Sequence, residues 1–209
     1  MSAKELFQRY LDECPLIAIL RGVTPGEAEA IGDAIYESGI RIIEVPLNSP
    51  DPLRSIELLS AKFGESMLVG AGTVLSVDQV NQVKDAGGRL IVSPDTNIDV
   101  IAAAAAEGLV SSPGYFTPSE AFAAIRAGAH ALKLFPAEGA STAALKAQLA
   151  VLPKDIPVLA VGGIKTDNMQ PWLEAGAAGF GLGSGLYKPG QSAGETLEKA
   201  RAYVAGVRR

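Results

Sequence analysis

Two rhythms of apolar positions alternate along the chain. Leu6, Phe7, Tyr10 and Leu11 recur at helical spacing, which predicts a short N-terminal helix. Residues 16–20 are then almost wholly apolar, as strands are in a parallel sheet covered on both faces. Thr24-Pro-Gly-Glu27 reads as a capping box with proline in the first helical turn, and its helix runs to Ser38 and stops at Gly39. The cycle repeats. Strands are predicted at 40–45, 67–70, 90–92, 109–111, around Lys133, at 158–161 and at 179–182. Between them, Ser49-Pro50, Ser76-Val-Asp-Gln79, Asp95 or Thr96, Thr117-Pro-Ser-Glu120 and Thr166 are the expected helix openings. The glycines at 39, 64, 87, 108 and 128 are spaced by 25, 23, 21 and 20 residues, the footprint of repeated βα units. Eight such units with short connections predict an α/β fold. The expected architecture is a single (β/α)8 TIM barrel over residues 1–209, with an extra N-terminal helix.

Composition narrows the function classes. The chain has 209 residues, 48% hydrophobic and 20% charged, enough for one domain with a sizeable core. Its formal charge is −5 with the two signs interspersed, so no basic nucleic-acid face is expected. No apolar run is long enough to span a bilayer, and residues 1–13 lack a signal-peptide pattern, which points to a cytoplasmic protein. A single cysteine, Cys14, and a single histidine, His130, leave no material for a disulfide or a histidine-rich metal centre.

Candidate chemistry sits where barrels place it, at the C-terminal ends of the strands. Gly128-Ala-His-Ala-Leu-Lys-Leu-Phe-Pro-Ala137 reads as a buried strand carrying one lysine, Lys133. Alternation puts Ala129, Ala131, Lys133 and Phe135 on one face and His130, Leu132 and Leu134 on the other. Burial lowers an amine's pKa and makes it a usable nucleophile near neutral pH, whereas a lysine that reaches the strand end to meet a carboxylate would be structural. Glu44, inside the apolar strand before Pro46, is either its ion-pair partner or a general acid/base beside it. Two roles fit Arg21 at the end of the first strand: binding a substrate carboxylate or neutralising Glu44. Gly70-Ala-Gly-Thr73 ends the third strand with small residues and one hydroxyl. Val161-Gly-Gly-Ile164 and Gly181-Leu-Gly-Ser-Gly185 are glycine-rich turns after strands seven and eight, expected to run into helix N-termini and so to bind phosphate. Pro94 and Pro113 are expected to shape loops lining the pocket, and His130 to pack against a helix.

Six motifs together carry a resemblance that covers nearly the whole chain: Leu16-Ile-Ala-Ile-Leu-Arg-Gly22, Ile43-Glu-Val-Pro-Leu-Asn48, Gly70-Ala-Gly-Thr-Val74, Ala131-Leu-Lys-Leu-Phe-Pro136, Ala160-Val-Gly-Gly-Ile164 and Gly181-Leu-Gly-Ser184. The chain resembles the 2-keto-3-deoxy-6-phosphogluconate / 6-phosphogalactonate aldolases, a class I aldolase family. The resemblance implies cleavage of a phosphorylated keto-deoxy sugar acid to pyruvate and D-glyceraldehyde 3-phosphate, without metal or cofactor, by a homotrimer. Lys133 matches the Schiff-base lysine and Glu44 the acid/base. Thr73 matches a residue holding the pyruvate half, and Gly162, Gly163, Gly183 and Ser184 match the phosphate site. Asn48 stands where gluconate-branch members typically carry arginine, which makes Arg21 the candidate for the substrate carboxylate. Val161 stands where that branch tends to carry threonine near the C4 hydroxyl. Both departures resemble the 6-phosphogalactonate branch. Action on both C4 epimers, 4-hydroxy-2-oxoglutarate cleavage, a barrel isomerase or synthase, and a non-catalytic phosphosugar-binding barrel are the alternatives.

Overall fold

The computed structural model describes residues 1–207. Helix α1 (Ala3–Glu13) precedes β1 (Leu16–Ile19), α2 (Pro25–Ser38), β2 (Ile42–Pro46), α3 (Pro52–Phe63), β3 (Leu68–Gly72), α4 (Val77–Asp85), β4 (Leu90–Val92) and α5 (Ile98–Ala106). Then follow β5 (Val110–Ser112), β6 (Gly114–Tyr115), α6 (Pro118–Arg126), β7 (Leu132–Leu134), α7 (Thr142–Leu149), β8 (Val158–Val161), α8 (Met169–Glu174), β9 (Gly179–Leu182) and α9 (Ala193–Val207). All pairings are parallel, in the order β5-β4-β3-β2-β1-β9-β8-β7-β6.

Nine strands among the described residues, instead of the expected eight, have one physical cause. Pro113 lacks an N–H and interrupts what is otherwise a single barrel strand, so its first part pairs with β4 and its second with β7. The carbonyls along this segment still close the ring. Ser111 O accepts from His130 N at 2.9 Å, Pro113 O from Lys133 N at 2.9 Å, and Tyr115 O from Phe135 N at 3.1 Å. The predicted (β/α)8 barrel therefore stands, with its fifth strand in two pieces.

Alternation along the strands sorts the core into two layers. Ile43, Val45, Ala71, Ile91, Leu132, Leu134, Ala160 and Leu182 face outward and pack beneath the helices. Ile17, Ile42, Leu68, Leu90, Val110 and Leu159 fill the barrel and meet Phe7, Tyr10 and Leu11 of α1. These inner residues begin their strands or lie near the start, so α1 plugs the N-terminal mouth and leaves the C-terminal mouth open. Tyr10 Oη fastens the plug by donating to the Glu65 carbonyl at 2.6 Å.

Three helix openings differ from the expectation, two because the predicted cap is used elsewhere and one because a later residue takes the cap position. Ser49 Oγ accepts from Gly22 N at 2.9 Å, and α3 begins after Asp51. Thr96 Oγ1 donates to Gly114 O at 2.7 Å, and Asn97 caps α5. Helix α8 opens after Asn168, not at Thr166, because Asn168 ties its own loop: it accepts from Lys165 N at 2.9 Å and donates to Gly163 O at 2.8 Å. The boxes at Thr24 and Thr117 form as read. At Ser76 the hydroxyl caps Gln79 N at 3.3 Å, while the Gln79 side chain accepts from Leu75 N at 2.6 Å, one residue before the cap.

Candidate active site

Among the described residues Glu44 and Lys133 are the only charged side chains that are buried, at 2% and 7% exposure. Both face the barrel interior. In β2, Ile42 points inward and Ile43 and Val45 outward, so Glu44 joins Ile42 on the inner face, level with Ile19 of β1 and Gly70 of β3. Lys133 alternates with outward Leu132 and Leu134 and lies level with Gly114 and Leu159. The two line one cavity of about 500 Å³ at the C-terminal mouth, within the size range of small-molecule sites.

Two glycines have structural causes that the sequence reading did not separate from ligand access. A Cβ on Gly72 would lie 1.8 Å from Glu44 Oε2, so the missing side chain is the space the carboxylate occupies. A Cβ on Gly70 would lie 2.0 Å from Leu90 O, so that glycine permits close approach of two strands.

Burial dominates the electrostatics. It raises the Glu44 carboxyl to about 7, against the pull of Lys133 first and Arg21 second. It also lowers Lys133, with Glu44 opposing and Arg21 reinforcing the shift. Glu44 Oε2 is buried without a hydrogen-bond partner. Lys133 Nζ lies 4.8 Å from the centre of the Phe135 ring, two residues along the same strand face. Burial thus pushes both groups toward their neutral forms. An amine lowered in this way, sharing a cavity with a carboxyl raised to about 7, suits a nucleophile with an acid/base at hand.

The other predicted residues gather around this pair. Arg21, Thr73, Val161, Gly162, Gly163, Gly183 and Ser184 all line the cavity, as does Pro94. Thr73 holds a left-handed backbone at φ 57°, a conformation a threonine seldom adopts, as β3 turns over the cavity. Arg21 is exposed and donates to Asn48 Oδ1, so it is tied to the residue that distinguishes this chain and makes no direct ion pair with Glu44. Gly162 and Gly163 have φ of 108° and 66°, which other residues rarely adopt.

Two expectations need correction. The glycine turns do not run straight into helices, since α8 begins at Met169 and α9 at Ala193. Any anion there meets turn N–H groups instead. Those of Ser184 and Gly185 have no acceptor among the described residues, while Leu186 N and Tyr187 N close the turn onto Gly183 O at 2.9 and 3.1 Å. Pro113 is absent from the cavity wall, because its place is the break between β5 and β6. His130 packs at the opposite mouth: its Nδ1 accepts from Ser111 N at 3.1 Å, and burial, then Lys4, lowers its pKa.

Sequence reasoning missed Lys165, Lys188 and Glu138 on the cavity wall. Each lies a few residues beyond a strand end, where strand periodicity carries no signal. Phe135 was placed on the face of Lys133 without being given a part. Among the described residues no group of three or more His, Cys, Asp or Glu side chains is placed to hold a metal ion.

The comparisons with known proteins agree on one family. A probable 2-dehydro-3-deoxy-6-phosphogalactonate aldolase of Rhizobium meliloti (strain 1021) is 50% identical over 193 residues, 92% of this chain and 91% of that protein. The 2-dehydro-3-deoxy-6-phosphogalactonate aldolase of Escherichia coli (strain K12) is 46% identical over 96% of this chain and 98% of its own length. A solved structure described as native KDPGal superposes with a TM-score of 0.92 at 46% identity, covering 94% of this chain and 95% of that one. The family model for KDPG and KHG aldolase matches residues 7–200, and the chain belongs to that family.

Proposed function

We propose that the protein is a class I aldolase that cleaves 2-dehydro-3-deoxy-6-phosphogalactonate to pyruvate and D-glyceraldehyde 3-phosphate. The observation that carries this reading is the pair of buried charges in one open cavity, Lys133 lowered and Glu44 raised to about 7. The names of the relatives at 46% and 50% identity support the choice of epimer.

The neutral Lys133 amine adds to the C2 ketone, and the carbinolamine takes up a proton from solvent and loses water to give a protonated imine. The Glu44 carboxylate takes the proton of the C4 hydroxyl. The C3–C4 bond breaks, its electron pair flows into the imine to form an enamine, and the aldehyde departs. Glu44, now a carboxylic acid, returns its proton to C3. Water then hydrolyses the pyruvate imine and frees the amine. Burial among the apolar residues beneath disfavours the charged form of Lys133. In this reading the phosphate lies on the turns at Gly162, Gly163, Gly183 and Ser184, Thr73 holds the pyruvate half, and Arg21 meets the substrate carboxylate.

Borohydride reduction in the presence of pyruvate tests the covalent step. A stable adduct on Lys133, absent from Lys133→Ala, is the expected result. Pyruvate release from the two C4 epimers tests the substrate. Release confined to the galactonate epimer, with Val161→Thr extending it to the gluconate epimer, supports the assignment. Equal release from both by the wild-type protein removes Val161 as the selecting residue.

The working unit is a homotrimer in this reading, and its site of action the cytoplasm. Leu75, Val77, Ile98 and Phe116 support the assembly, being large apolar side chains at 48%, 40%, 55% and 41% exposure. They follow β3, β4 and β6, which lie in one arc of the barrel, so they form one apolar rim beside the open mouth. No helix among the described residues is long and apolar enough to cross a membrane.

A further inference from the structure

The chain has nine lysines. Lys4, Lys62, Lys84 and Lys199 pair with carboxylates, Lys154 donates to the Leu149 carbonyl, and Lys133 is buried in the barrel. Of the three that remain, Lys146 lies at the other mouth, while Lys165 and Lys188 both line the catalytic cavity. Neither ammonium has a partner among the described residues. Each follows one of the two glycine turns, Lys165 two residues after Gly163 and Lys188 four after Ser184.

Leaving aside Lys133 and Glu44, which burial pushes toward neutrality, the cavity wall carries three cationic side chains, Arg21, Lys165 and Lys188, against one carboxylate, Glu138, in a chain of formal charge −5. A local excess of positive charge inside an acidic molecule draws an anion to that spot and holds it there. A sugar phosphate is close to a dianion at neutral pH. Backbone N–H groups of the turns offer it hydrogen bonds but no formal charge. Glu138 works against it: its Oε2 lies 2.6 Å from the position of a Cβ on Gly163, so a carboxylate already stands at the turn.

We infer that Lys165 and Lys188 are substrate-binding residues that supply the counter-charge for a phosphate dianion at the glycine turns, and that Glu138 sets the balance of charge there. The inference rests on the aldolase reading for the identity of the ligand, not for the charge distribution. It predicts opposite signs for neutral replacements within one small site.

The test compares kcat/KM for the phosphorylated keto-deoxy sugar acid with that for its unphosphorylated counterpart. Lys165→Gln and Lys188→Gln are expected to lower this ratio about tenfold each, the scale of one hydrogen bond to a charged group, mainly through KM. Glu138→Gln is expected to raise it, and added salt to shrink all three differences. Changes of one sign in all three variants, or equal losses on both substrates, would overturn the assignment. Calorimetry with inorganic phosphate separates the two readings. If neither C4 epimer is cleaved but phosphate binds, weakening in the lysine variants and strengthening in Glu138→Gln, the charge assignment stands and the aldolase reading falls. Phosphate binding that none of the variants alters overturns the charge assignment whatever the enzyme cleaves.

Discussion

At the scale of single residues, Glu44 carries a cost that its chemistry explains. Its carboxyl titrates at about 7 in the folded chain, against 4.5 when unperturbed. Between those values the native chain keeps a proton that the unfolded chain has released. The group's contribution to stability is therefore full below 4.5 and lost as pH rises to about 7. At about 1.4 kcal/mol per unit, the loss is roughly 3 kcal/mol. Glu44→Gln has no such dependence. Denaturant titrations are expected to show it gaining on the wild type by about that amount between pH 4 and pH 8, and a constant difference would mean that the carboxyl is not raised. Lys133 has the opposite slope at higher pH, since its depressed pKa makes the native chain release a proton first. Activity follows the same ionisation. The proposed cleavage needs Glu44 as a carboxylate, so kcat/KM should fall on the acid side with a midpoint near 7, and the low residual kcat/KM of Glu44→Gln should lack that limb. An acid limb that survives in Glu44→Gln would assign the proton to another group.

At the scale of elements, β2 and β3 together position the proposed acid/base. Glu44 projects from β2, and β3 yields the space at Gly72, where a Cβ would sit 1.8 Å from Oε2. Gly72→Ala should therefore turn the carboxyl away and leave Lys133 in place. A displacement of that size costs about 100-fold in kcat, while pyruvate still forms a borohydride-trapped adduct. Loss of both would instead point to general collapse of the barrel. The same pair of strands shows what the sequence disclosed and what it withheld. Alternation in Ile42-Ile-Glu-Val-Pro46 and around Lys133 was enough to place both charges inside a barrel, because strand periodicity fixes direction. The glycines after Ala71 and Val161 were visible but ambiguous: a ligand, a close strand and a neighbouring carboxylate all demand a missing side chain. Only cross-strand register separates these causes. The caps at Ser49, Thr96 and Thr166 were misplaced for a related reason, since the first two hydroxyls bond across to Gly22 and Gly114 of other βα units and Asn168 supplants the third. Lys165, Lys188 and Glu138 were beyond reach, because loop residues have no period from which to infer a facing direction.

At the scale of the whole molecule, the two ends of the barrel are treated differently. Helix α1 seals the N-terminal mouth with Phe7, Tyr10 and Leu11, leaving the site at the other. Phe7 is 1% exposed, and Phe7→Ala should cost about 3–5 kcal/mol of stability with little effect on KM. A large KM change in that variant would show that the plug shapes the site. The open mouth has its own unfinished surface. Among the described residues seven large apolar side chains are well exposed, and four of them, Leu75, Val77, Ile98 and Phe116, stand in the loops or at the helix starts that follow β3, β4 and β6. Scattered apolar residues are ordinary on a protein surface, but a cluster on one arc signals a covered face. A three-fold assembly would cover it in every copy by one repeated contact. Light scattering of the wild type is expected to give three times the 21.6 kDa chain mass. Replacing Ile98 with lysine and Leu75 with glutamate should return the mass toward that of one chain. Because the rim adjoins the cavity without entering it, the dissociated variant should still form the Lys133 adduct with pyruvate, with a lower melting temperature. A wild type that scatters as a single chain would leave this arc free for some other partner. A double variant that stays trimeric would place the interface elsewhere on the barrel.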